Sequence, residues 1–217
     1  MGITYNRLSS NSAARGKIDP HESGFTLVEF LVSSFILLII SAAVFSMLSE
    51  IQRTASYQSE VQAVLNNSRI AMQTVERCIR QAGNDPLNSG LAGITIVSPT
   101  EVRLQADLTG SANPTHPDKG DPDGDIGDSG EDITIRYHSN NQTLELLHGG
   151  RFAQPVANYI SAFSMQYYDS VGNTTMVGSA VHKVAVSITA SSKLPNPQTH
   201  QAFGLQLNSD VQLSTRQ

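Results

Sequence analysis

The chain begins with polar residues and turns apolar at Phe25. From Phe30 to Ser49 there are 20 consecutive uncharged residues, dense in Leu, Ile, Val, Phe and Ala. At 1.5 Å rise per residue, that is the helix length needed to cross a hydrocarbon core about 30 Å thick. A buried helix of a soluble protein rarely stays apolar on every face for so long, so the pattern predicts a transmembrane helix. No Gly or Pro occurs from Phe25 to Ala82, and nothing in that stretch interrupts a helix. Past the apolar run the periodicity becomes amphipathic. Val61, Leu65, Ser68, Met72, Val75, Ile79 and Ala82 step by four and three, and Val64, Ala71 and Cys78 widen the stripe. Gly83 and Pro86 supply the stop. The single helix implied is about 58 residues, or roughly 87 Å. Its first half suits lipid, and its second half needs an apolar partner.

From Leu91 onward the period changes from 3.6 to 2. Ile94 and Ile96 alternate, "SPT" turns the chain, and Val102 and Leu104 return it. The same alternation recurs at Ile133, Ile135 and Tyr137, at Leu144 and Leu146, and at Phe163, Met165 and Tyr167. It recurs again at His182, Val184, Val186 and Ile188, and at Phe203, Leu205 and Leu207. About seven strands joined by turn-rich loops predict an antiparallel sheet with one buried face. The amphipathic half of the helix would cover that face, giving an α+β fold.

Composition narrows the function. The 217 residues carry a net charge of −5, with 15% charged. There is no broad basic surface, which argues against general nucleic-acid binding. The one cysteine, Cys78, excludes an intramolecular disulfide and lies on the helical stripe. No repeat of solenoid or propeller length is present. Ahead of the apolar run, Arg7, Arg15 and Lys17 stand against Asp19 and Glu22. That slight positive excess favours a cytoplasmic N-terminus and a C-terminal domain across the membrane.

One residue breaks the apolar pattern. Glu29 sits within "GFTLVEF", and no other charge follows until Glu50. An ionisable group inside a membrane-length segment is costly and marks function by default. "GFTLVE" followed by an apolar helix resembles the class III leader of type IV prepilins and type II secretion pseudopilins. The resemblance implies that a prepilin peptidase cuts after Gly24 and that Phe25 becomes the N-methylated mature terminus. It implies that Glu29, the fifth mature residue, pairs with the terminal amine of a neighbouring subunit. It also implies a pilin-like fold, with the long helix packed on a β-sheet domain. "IRQAGNDP", closing the helix, is similar to the corresponding phrase of PilW-type minor pilins and J-type minor pseudopilins.

The organisation expected is a cleaved leader (1–24), a transmembrane half-helix (25–49), an amphipathic half-helix (50–82) and a β-rich domain (83–217). An Asp/Gly-rich loop lies at 113–132. Within it "DKGDPDGDIGDSGED" holds seven carboxylates between Asp118 and Asp132. Asp121, Asp123 and Asp125 have the alternate spacing that could converge on Ca²⁺, although the rest of the loop departs from an EF-hand. The plainer expectation is a solvated acidic loop. The histidines show no metal-type pairing, and neither a G-x-S-x-G elbow nor a phosphate-binding Gly loop occurs. No enzyme is expected from these residues, and the resemblance implies an inner-membrane subunit whose partners are the prepilin peptidase and other pilins or pseudopilins. From the membrane it would pass into a pilus or pseudopilus fibre. The alternative is a membrane-anchored periplasmic β-domain that binds a ligand or adheres, without fibre assembly.

Overall fold

The structure is a computed structural model that describes residues 25–110, 115 and 119–213. Among these residues one α-helix, α1, runs Leu27–Gln81 over 55 residues. The chain divides into two compact units, Met1–Leu48 and Ser49–Gln217. In the first, residues 25–48 are exposed apart from half-buried Ser41. Phe35, Leu38 and Phe45 are each more than 60% exposed, so the apolar face runs round the whole helix. Water-exposed apolar surface costs about 25 cal/mol per Å², which this segment avoids in lipid or among other helices. α1 is long and apolar enough to cross a membrane.

In the second unit α1 buries Val64, Ser68, Ala71, Met72, Val75, Cys78 and Ile79, with Ala82 just past its end. Val61 and Leu65 are half-buried, so the covered stripe starts about one turn later than the periodicity suggests. At that level a polar contact takes over: the Glu60 carboxylate meets backbone N–H groups of Lys193 and Leu194.

Among the described residues eight strands follow, in two antiparallel sheets. β1 (Ile94–Ser98), β2 (Glu101–Gln105), β3 (Asp132–His138), β4 (Thr143–His148) and β5 (Phe152–Ala157) pair in sequence order. β6 (Ile160–Tyr168), β7 (Lys183–Pro195) and β8 (Ala202–Gln212) form the second sheet. Alternation places Val102, Leu104, Ile133, Ile135, Leu144 and Leu146 inward from the first sheet. Phe163, Met165, Tyr167, Val184, Val186 and Ile188 point inward from the second, and all join one core with the helix stripe. The fold is α+β, with a long N-terminal helix packed on antiparallel sheets.

Two details differ from the sequence reading. The strands split into two sheets, and β5 is an additional strand. "FAQPVA" shows no clean alternation, because its first four residues are exposed, and it contains Pro155. Proline within a sheet is confined to edges and bulges, and β5 is an edge strand.

The phrase closing α1 has local jobs. Gly83 adopts φ +78°, the left-handed conformation that ends helices and that glycine takes without a Cβ penalty. Its N–H donates to the Gln105 carbonyl at 2.8 Å. Asn84 Nδ2 donates to the Asp107 carbonyl, and the Asp107 N–H returns to the Asn84 carbonyl. The Asp85 carboxylate accepts from the N–H groups of Ser89, Gly90 and Leu91. The glycine and amide of "GND" thus tie the helix exit to the end of β2, and its carboxylate closes the turn that leads toward β1.

Candidate functional site

Three regions carry the candidate chemistry: the start of α1, the acidic loop and the histidines. At the helix start, Thr26 is followed three residues later by Glu29, the T-x-x-E order of a capping box. The structure forms that box. The Glu29 N–H donates to Thr26 Oγ1 at 3.2 Å. In return Glu29 Oε2 accepts from the Thr26 N–H and hydroxyl, both at 3.1 Å. A helix start exposes unpaired N–H groups and carries partial positive charge, so a carboxylate is favoured there. Phe25, 74% exposed, immediately precedes the cap. Phe25 and Glu29 are therefore brought to one end of the helix, while Gly24 and the rest of the leader lie outside the described residues. From the apolar pattern Glu29 stands out only as a charge in lipid. The T-x-x-E spacing is the signal for its second role.

The acidic loop is organised from within. Asp107 is fully buried and accepts the N–H groups of Asp123 (3.2 Å) and Gly124 (3.0 Å). Glu131 is 1% exposed. Its Oε1 accepts from Leu108 and Thr109, both at 2.9 Å, and its Oε2 from Asp128 at 3.1 Å. Asp132 takes a two-pronged contact from Arg103, at 2.7 and 2.8 Å. These contacts satisfy the buried acidic groups and leave the exposed carboxylates to local turns.

Of the three residues considered for Ca²⁺, Asp121 is exposed. Asp123 Oδ1 accepts the Asp125 N–H, and Asp125 Oδ1 accepts the Gly127 N–H. Among the described residues no group of three or more His, Cys, Asp or Glu side chains is arranged to hold a metal ion. Loop positions 113, 114 and 116–118 lie outside the described residues. The Asp128 carboxyl is held above its ordinary range, first by desolvation and then by the charges of Glu131, Asp123 and Asp125. Asp107 lies outside the acidic run in sequence, and no periodicity separates it from other loop aspartates, so its role needed the tertiary contacts.

The histidines are dispersed. His138 Nε2 lies 3.1 Å from Glu145 Oε2, and His182 Nδ1 lies 3.1 Å from the Ala180 carbonyl. Cys78 is buried against the sheets, and burial pushes its thiol pKa up, which keeps it protonated and unreactive at neutral pH.

Comparison with protein-family models matches residues 19–45 to the prokaryotic N-terminal methylation motif. The chain carries a prokaryotic N-terminal methylation motif. The matched stretch spans Gly24, Phe25, the capping box and most of the apolar run, and it supports a type IV pilin-like N-terminal segment. Together with α1, it supports membrane anchorage through this helix. No curated protein matches the chain.

Proposed function

We infer that this chain is a pilin-like subunit, a PilW-type minor pilin or J-type minor pseudopilin. It joins a type IV pilus or type II secretion pseudopilus, in the tip or initiation complex. The observation that carries this reading is the methylation motif placed at the start of a 55-residue helix whose second half packs on a β-domain. The "IRQAGNDP" exit, with each of Gly83, Asn84 and Asp85 hydrogen-bonded, supports the minor-subunit type. Cleavage by the prepilin peptidase after Gly24 frees the Phe25 amine, which is then methylated. In a low-dielectric setting an ammonium and a carboxylate each lower the other's cost. In the fibre, Glu29 meets the amine of a neighbouring subunit and sets axial register. The capping box supports this reading, because Thr26 holds the carboxylate at the helix start before any partner arrives.

Mass spectrometry of the mature chain tests processing: the expected first residue is N-methyl-Phe25. An intact N-terminus, or a cut near Ala43, overturns the reading. Glu29→Ala is expected to reduce co-purification with other pilin-like chains, and unchanged recovery would favour the tethered β-domain instead. The calcium expectation for Asp121, Asp123 and Asp125 is decided by titration of the full chain. Saturable heat that is lost in Asp123→Asn carries it, and no heat ends it.

A further inference from the structure

The β7–β8 hairpin returns to the stretch of α1 that directly follows the apolar run. The Glu60 carboxylate accepts the backbone N–H groups of Lys193 and Leu194, and the Lys193 ammonium lies 5.6 Å from the centre of the Tyr159 ring. Beyond this latch the hairpin tip is well built. Asn196 Oδ1 accepts from the Gln198 and Thr199 N–H groups, and the Asn196 backbone pairs with Gln201 and His200. An open groove of about 640 Å³ lies between tip and helix. Glu50, Arg53 and Tyr57 line its helix side, and Leu194, Pro195 and His200 line the other.

Position and charge together define the ligand class. Glu50 and Arg53 are the first two charged residues after the uncharged run that ends at Ser49. At 1.5 Å per residue they stand within about 6 Å of its end along the helix. That is the depth of the polar head-group layer flanking a hydrocarbon core. The two residues share one groove, three positions apart on one helix face. Among the described residues neither side chain makes a hydrogen bond or ion pair. Tyr57, apolar in body and polar at its tip, lines the same groove about 12 Å beyond the run. Leu194 is 44% exposed beside them.

The geometry points to this groove as a seat for a zwitterionic phospholipid head group of the phosphatidylethanolamine class. The phosphate pairs with the Arg53 guanidinium, whose planar fork suits phosphate oxygens, and the ammonium pairs with the Glu50 carboxylate. Leu194 and Pro195 provide the apolar wall. The helix wall of the groove begins at Ser49, the residue on which the uncharged run ends, and this favours lipid over other occupants. The inference rests on membrane anchorage through α1 and not on incorporation into a fibre.

The test is native mass spectrometry of the full chain in detergent with added dioleoyl phosphatidylethanolamine. Wild type is expected to retain one lipid that Arg53→Gln and Glu50→Gln each retain about tenfold less, the scale of one lost charge-assisted contact. Asn66→Ala, outside the groove, behaves as wild type. Unchanged melting temperatures confirm that the variants are folded. Equal retention by wild type and Arg53→Gln overturns the proposal. So does retention of phosphatidylglycerol as strong as that of phosphatidylethanolamine with Glu50→Gln silent. A protein dimer that excludes the lipid and is lost in the same variants assigns the groove to a second copy, and also overturns it. The same spectra report the N-terminal mass, so lipid binding and leader processing can fail independently.

Discussion

A Cβ placed on Gly178 would lie 2.0 Å from the backbone carbonyl oxygen of Ile94. Gly178 opens a single 3₁₀ turn, Gly178–Ala180, that packs on edge strand β1. The close neighbour is backbone, so β1 or the turn must shift to admit any side chain. Gly178→Ala is expected to destabilise the β-domain by about 1–3 kcal/mol, the usual range for overpacking. Gly204→Ala, where a Cβ would meet nothing within 4 Å, is the matched control and is expected to be near neutral. Denaturant unfolding of both variants in detergent checks the pair.

Removing the cap should loosen the first turn of α1. Thr26→Ala deletes the hydroxyl that accepts from Glu29 and donates to it. The expected local loss is about 1 kcal/mol, seen as faster amide exchange at Glu29. Thr26→Ser keeps the hydroxyl and should restore protection.

Glu131→Gln should be more damaging than its location in an acidic loop suggests. The carboxylate is buried and accepts three backbone N–H groups, from Leu108, Thr109 and Asp128. An amide replaces one accepting oxygen with a donor that faces N–H groups. A loss of about 1–3 kcal/mol is expected, with amide exchange rising first at Leu108 and Thr109.

Two exposed turns should weaken in acid. The Asp85 carboxyl is held below its ordinary 3.8, chiefly by the Ser89 N–H, and the Asp169 carboxyl likewise by the Asn173 N–H. Both groups bind a proton more readily when unfolded. Their contribution is therefore full above about pH 3.8 and is lost as pH falls through the lowered folded values. Amide exchange at Ser89 and Asn173, corrected for intrinsic rates, should accelerate across that acid range. Asp85→Asn should remove the pH dependence at Ser89 and leave it at Asn173.

Much of this molecule was decided locally, and the local part was legible. The apolar run, the 3.6-residue stripe from Val64 to Ala82 and the two-residue alternation of β2, β3, β6 and β7 each repeat with the period of their own backbone. Helix, the strands other than β5 and the α+β class therefore followed from the sequence, whereas the T-x-x-E box, although its spacing is local, emerged only with the structure. Contacts between distant segments were not legible, because no local period encodes them. Only the tertiary structure divides the strands into two sheets, places Asp107 under the Asp123–Gly124 backbone, brings Gly178 against Ile94, and seats the β7–β8 tip beside Arg53. The physical reason is that a short period fixes which face a residue occupies, whereas loop closure fixes which other face it meets.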